Sequence, residues 1–180
     1  MIVDFAHSPG AILAVLHALR AIVAQRRSSS LCEVIAASGV HSDGIRRPME
    51  IAAGRLADRV IATGGNQRGY SVTITAGELV AGARSTGNRA VELIAQRRVA
   101  IGAAVDVARP GDVIAILGGG AMPRLLNGPT GDGEQFDDRV VAREAILSWR
   151  SPVRRQMRPS AQKQGYFPPL RAHRQERFEE

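Results

Sequence analysis

The chain is short of lysine, cysteine and long apolar runs, and each shortage removes a class of function. Its one lysine, Lys163, lies far toward the C-terminus, so residues 1–150 hold none. That stretch therefore cannot use lysine as a Schiff-base former, a phosphate ligand or a carbamylated metal bridge. A single cysteine, Cys32, excludes an internal disulfide. Its place in an apolar run reads as a small buried hydrophobe rather than a reactive thiol. No stretch reaches the roughly 18 apolar residues of a membrane span. The first residues do not lead from a basic segment into an apolar core, so no secretory signal is expected. Cytoplasmic location is the expectation. No His/Cys/Asp spacing around His41 or elsewhere resembles a metal site. Nor is there a Gly-x-x-x-x-Gly-Lys-Ser/Thr loop to cradle nucleotide phosphates.

Over 180 residues, 44% apolar and 23% charged side chains are enough for one good hydrophobic core and a tail. The net charge of +7 suggests a nucleic-acid partner until it is located. Residues 150–180 carry eight basic and three acidic side chains, net +5, which leaves the preceding stretch at only +2. A basic, Pro-rich tail binds polyanions weakly by counterion release, but such segments are more often solvated and irregular. Specific nucleic-acid binding is not expected.

Apolar residues recur with strand and helix periods in alternation. Residues 2–5 form a short β-rich run, and Ser8 and Pro9 suit an N-cap and first turn. Ile12, Leu13, Leu16, Leu19, Ile22 and Val23 follow at helical spacing. Residues 31–36 make a second strand, Pro48 opens a helix, and residues 59–62 make a third strand. A helix begins near Ser71 or Thr73. Residues 90–94 are a strand, 97–108 a helix, and 113–117 the most apolar and central strand. Residues 125–136 are a loose hairpin or a long loop. Asp137 or Asp138 caps a last helix through Trp149. This alternation predicts an α/β fold, Rossmann-like, with a mostly parallel sheet and helices on both faces. One domain over 1–150 and an irregular basic tail over 151–180 are expected. Sites in such folds sit beyond the carboxyl ends of the strands. Residues 4–8, 37–44, 63–69 and 118–122 fall there.

Two segments carry a specific resemblance. Asp4-Phe5-Ala6-His7-Ser8-Pro9 is similar to the Asp-Tyr/Phe-Ala-His-x-Pro motif that opens the C-terminal domain of the Mur ligases. Phe136-Asp137-Asp138-Arg139-Val140-Val141-Ala142-Arg143-Glu144 resembles the closing segment of their tripeptide-forming branch, the diaminopimelate- or lysine-adding UDP-N-acetylmuramoyl-tripeptide synthetases. The two stand in the right order and bracket about 145 residues. Cyanophycin synthetase and related amide ligases share the opening motif. Arg47-Pro48 and the closing segment favour the peptidoglycan branch.

The resemblance implies an ATP-dependent acid–amino acid ligase. In that family a carboxylate is activated as an acyl phosphate and an amino group attacks it to give an amide. This domain closes over the nucleotide and presents the amino acid. Asp4 and His7 would face the ribose and phosphates of ATP, a carboxylate suiting a hydroxyl and an imidazole a phosphate oxygen. Ser42, Asp43, Asn66, Arg68 and Gly118 would belong to the substrate site. Asn66 and Arg68 form either a carboxylate clamp or a solvated polar turn. ATP and Mg2+ would be bound chiefly by a central domain that has no counterpart here, and the UDP-muramoyl peptide by an N-terminal one. A separately encoded ATP-binding domain is therefore the expected partner, and the chain alone is not expected to be catalytic.

Departures from the family pattern lie at the amino-acid end. His41 and Ser42 replace an Asp and an Arg, and a serine cannot supply the arginine's planar fork. Gly118-Gly119-Gly120-Ala121-Met122 stands in place of Gly-Lys-Gly-His-Glu, and Met122 cannot pair with an amino group. The glycines read as preserved backbone shape. The alternative to a ligase domain is a non-catalytic remnant or binding module derived from a truncated, diverged ligase.

Overall fold

The strands of the main sheet are short and all parallel, and they are ordered so that one strand is inserted last. The computed structural model describes residues 1–26, 28–39, 43–126, 128, 130 and 132–150, and of Ala37, Asp43 and Gly44 only the backbone. His41, Ser42 and the tail 151–180 lie outside the described residues, as do the expectations placed on them. In chain order the elements are β1 (Ile2–Asp4), α1 (Pro9–Ala24), β2 (Leu31–Ala37), α2 (Asp43–Leu56), β3 (Arg59–Gly64) and α3 (Val72–Ser85). They continue with β4 (Val91–Leu93), α4 (Arg97–Val107), β5 (Val113–Leu117), β6 (Arg124–Leu126), β7 (Gly133–Gln135) and α5 (Asp138–Arg150). The sheet order is β1-β5-β2-β3-β4. Each neighbouring pair is parallel, from Ile2 opposite Ala115 to Ala62 opposite Leu93.

The period-2 alternation of β2 divides the core in two. Leu31 and Ile35 join Ile12, Leu16, Met49 and Leu79 under α1, α2 and α3. Cys32 and Val34 join Ile101, Val105, Ile116 and Val141 under α4 and α5. Burying each such aliphatic side chain is worth about 1.5–3 kcal/mol. This placement of helices fits right-handed crossovers, because β1 to β4 advance one way across the sheet and β4 to β5 turns back.

Two details differ from the sequence reading. β2 holds the middle of the sheet, and β5, though fully buried, is one strand in from the edge. Pro48 lies inside α2, which starts at Asp43. A proline there removes only the bond its N–H would donate to the Gly44 carbonyl, so the helix begins a turn earlier than a proline at its first position would imply. β6 and β7 form an antiparallel pair, with Leu125 opposite Glu134.

Glu33 stands out in the core. It is fully buried in the middle strand, and neither carboxyl oxygen has a hydrogen-bond partner. Alternation puts it on the α1–α3 side with Leu31 and Ile35. Burial alone pushes its carboxyl up to about 8. Between its ordinary value near 4.5 and about 8, the folded chain keeps a proton that the unfolded chain has released. Stability must therefore fall as pH rises through that window, by about 1.4 kcal/mol per pH unit. Urea denaturation of Glu33→Met should show a more stable protein at pH 8 and a shallower decline from pH 5 to 8. An unchanged slope would mean that Glu33 is not the group responsible.

Candidate functional site

A cleft opens above the carboxyl end of β5, where the chain leaves toward the α4/α5 face while β1 and β2 leave toward the other. This divergence is what makes a crevice in an open parallel sheet. Its walls include His7, Ser38, Asn66, Gly118, Gly119 and Met122, one or more from each turn that follows β1, β2, β3 and β5. Arg97, Arg124, Leu125, Phe136 and Asp138 also line it, with Ala36 and Gly65.

The floor is set by an ion pair. Arg97 is the first residue of α4 and Asp138 the first of α5. Both side chains are 1% exposed. Arg97 Nε donates to Asp138 Oδ1 and Nη2 to Oδ2, each at 2.7 Å. Nη2 also donates to the Leu117 carbonyl at 3.0 Å, at the end of β5. Nη1 is buried without a partner. A basic residue opposes the dipole of a helix N-terminus, so Arg97 would be a poor choice there unless it had a specific partner.

That pair explains the glycine run. A Cβ on Gly119 would stand 2.4 Å from Asp138 Oδ2. One on Gly120 would stand 2.9 Å from the Phe5 backbone nitrogen, at a φ of +58°, and Gly118 has a φ of +96°. All three positions therefore require glycine on steric grounds. Their backbone shape is fixed by neighbouring protein rather than by a phosphate.

Asp4 and His7 stand at the mouth. Asp4 Oδ1 accepts the Ala6 N–H at 2.7 Å, which closes a tight turn. His7 Nδ1 lies 2.8 Å from the Phe5 carbonyl. A carbonyl can only accept, so Nδ1 carries the proton. The His7 and Phe5 rings also touch, 4.5 Å apart between centroids. Ser8 caps α1 by accepting the Ala11 N–H.

Asn66 and Arg68 grip the hairpin. Asn66 Oδ1 accepts the Leu126 N–H at 3.0 Å, and the Arg68 N–H donates to the Leu126 carbonyl at 3.0 Å. Asn66 Nδ2 faces Met122 Sδ at 3.7 Å. The Asn66 carbonyl accepts from Ser38 Oγ and from the Gly39 N–H, both at 3.2 Å. Arg68 has a φ of +49° and an exposed side chain. Of the residues singled out from the sequence, His7, Asn66 and Gly118 meet in the lining, whereas Asp4 and Arg68 lie outside it. Only the backbone of Asp43 is described.

The two aspartates at the start of α5 divide the labour. Asp137 Oδ1 accepts the Arg139 N–H at 2.8 Å, and the Asp137 carboxylate also pairs with the Arg139 guanidinium. Those hydrogen bonds hold its carboxyl at about 2. Asp137 is therefore the N-cap, which leaves Asp138 for Arg97.

Residues 1–120 match the Mur ligase, glutamate ligase domain family. The chain belongs to this family. It is 34% identical over 148 residues to the UDP-N-acetylmuramoyl-L-alanyl-D-glutamate--2,6-diaminopimelate ligase of Streptomyces avermitilis, covering 81% of this chain and 28% of that protein. With the ligase of the same name from Corynebacterium efficiens it is 36% identical over 156 residues, 83% of this chain and 28% of the relative. A solved structure of such a ligase superposes with a TM-score of 0.70 at 32% identity, over 81% of this chain and 28% of that one. The chain thus spans just over a quarter of the length of these relatives. As a Mur ligase domain it has the five-stranded parallel sheet and flanking helices described above. Among the described residues no helix is long and apolar enough to cross a membrane, and no group of His, Cys, Asp and Glu could hold a metal ion.

Breaking the buried pair from one side should be costly. Asp138→Ala leaves Arg97 charged and buried, and an expected loss of about 3–5 kcal/mol would be read from urea denaturation. The double variant Arg97→Met/Asp138→Leu should lose less than Asp138→Ala alone. A double variant at least as damaged as the single would mean that the pair's geometry, and not its charge balance, holds the two helices.

Proposed function

We propose that this chain is the domain of an ATP-dependent amide ligase of peptidoglycan precursor synthesis that closes over the nucleotide and presents the incoming amino acid. The observation that carries this is the convergence of the four post-strand turns on one cleft, in a chain whose relatives are diaminopimelate ligases. ATP would supply the phosphoryl group that turns a carboxylate into an acyl donor. The amino acid's nitrogen would then attack the acyl carbon and release phosphate.

Within that scheme this chain binds and orients. The second carboxylate oxygen of Asp4 is available for a ribose hydroxyl. His7, with its Nδ1 proton held by Phe5, stands at the mouth of the cleft, where an imidazole can meet a phosphate oxygen. Arg68 projects from the turn beside the hairpin, where a long flexible cation can reach a carboxylate. The triphosphate and Mg2+ would be held elsewhere. The glycine run is sterically committed, and the described residues offer no metal ligands in a group. A separately encoded cytoplasmic domain with a P-loop, bound to the UDP-muramoyl peptide, would be the partner, and the chain alone would not turn over.

A second reading has one observation in its favour. An unpaired carboxyl at the centre of the core is a standing cost, as expected of a remnant that no longer carries out the reaction. Calorimetry and product analysis separate the two. The full chain would be mixed with ATP-magnesium, diaminopimelate and a P-loop domain taken from a Mur ligase. Binding or amide formation only in the mixture supports the ligase reading. His7→Ala should then weaken ATP binding, and Arg68→Ala amino-acid binding, each about tenfold or more, the effect of losing one hydrogen bond to a charged group. No heat and no product in any combination would leave the remnant.

A further inference from the structure

We infer that the cleft accepts the carboxylate end of an amino acid bearing one amino group and that its described residues do not favour a second ammonium. This deepens the ligase reading and rests on it, since the ligand is taken to be the incoming amino acid. Both Asp138 oxygens are taken by Arg97, and so is the Leu117 carbonyl. Asn66 Oδ1 is taken by the Leu126 N–H, and the Asn66 carbonyl by Ser38 and Gly39. An ammonium brings three donors and needs acceptors for them. Among the described lining residues the carboxylate and the side-chain amide oxygen are already spent.

Donors are left over. Arg97 Nη1 is buried in the lining with nothing to donate to. Asn66 Nδ2 has only the Met122 thioether, a weak acceptor. Arg124 places a guanidinium at the rim, with Nη2 on the Gly133 carbonyl. Of the rest of the wall, Ala36, Met122, Leu125 and Phe136 are apolar, and His7 and Ser38 are polar. A carboxylate satisfies stranded donors and gains charge-assisted hydrogen bonds. An ammonium in the same place would be buried among donors and methyl groups, with its charge uncompensated. The relatives' substrate, 2,6-diaminopimelate, carries an ammonium beside the carboxylate at each end. 2-Aminopimelate has the same carbon chain with one ammonium fewer.

The test is a 15N-correlation NMR titration of the full chain, mixed with ATP-magnesium and a P-loop domain taken from a Mur ligase, with meso-2,6-diaminopimelate and, separately, with L-2-aminopimelate. The amides of Asn66, Gly118, Gly119 and Met122 should shift with 2-aminopimelate at a Kd at least about tenfold lower than with diaminopimelate. Met122→Glu places a carboxylate beside Asn66 Nδ2 and should move the preference toward diaminopimelate by a similar factor. The wild-type comparison decides by itself if that variant fails to fold. Tighter binding of diaminopimelate to the wild-type chain would overturn the one-ammonium inference and leave the amino-acid cleft standing. No shift of cleft amides with either compound would overturn both.

Discussion

The geometry of the cleft depends on one buried contact, the bidentate pair between Arg97 and Asp138. It joins the first residues of two helices that are consecutive on one face of the sheet and reaches the last carbonyl of the strand between them. Burying two charges is expensive, and their mutual attraction repays the cost only when geometry and remaining hydrogen bonds are good. Here both carboxylate oxygens and two of the three guanidinium nitrogens are bonded, so most of the requirement is met. What the pair brings is position. It fixes where α5 starts, which sets the place of Phe136 two residues earlier. It also leaves no room at residue 119 for a side chain. Arg98, next in α4, lies over the Phe136 ring at 5.8 Å and holds it from the outer side.

From that constraint a division between frame and chemistry follows. The frame is backbone meeting backbone or carboxylate. Gly119 lies against Asp138, Gly120 against Phe5, and Gly39 against the Gln67 carbonyl at a distance no Cβ could tolerate. None of these contacts needs a ligand to hold it. The side chains that project from the frame, notably Met122, Arg124 and Arg68, together with His7, are the ones a ligand in the cleft would meet. A change among them alters which ligand fits without disturbing the turns. The chain can therefore be unmistakably a Mur ligase domain in shape and still differ from its relatives in what its cleft selects.

Much of this was legible in the residues. The strand and helix periods gave a doubly wound sheet because β2, β3 and β5 are nearly continuous apolar runs, and the Asp4–His7 and 136–144 segments gave the family. The Arg97–Asp138 pair was not legible, because a contact across 41 residues leaves no periodic trace. The one clue was local, a buried-type position at a helix start occupied by the charge that the helix dipole disfavours. The start of α2 was missed because proline usually marks a first turn, whereas one lost backbone bond is tolerable deeper in. Asn66 was singled out from its likeness to the family pattern and lies in the cleft lining, but the commitment of its side-chain Oδ1 to the Leu126 N–H depends on where the hairpin folds back. No turn rule gives that.

The distribution of unsatisfied polar atoms bears on whether the cleft is in use. A site losing its role would be expected to collect stranded acceptors and filled space. Among the described lining residues no buried side-chain oxygen is left without a partner, and the stranded side-chain atom is a guanidinium nitrogen, the kind of group an anionic ligand completes. Glu33, whose two carboxyl oxygens have no hydrogen-bond partner, sits instead in the middle of the core and away from the cleft lining. Its cost falls on stability and on pH tolerance and leaves the frame around Arg97 untouched. The Glu33 penalty therefore measures how much margin the fold has, while the spare donor at Arg97 indicates what the cleft lacks.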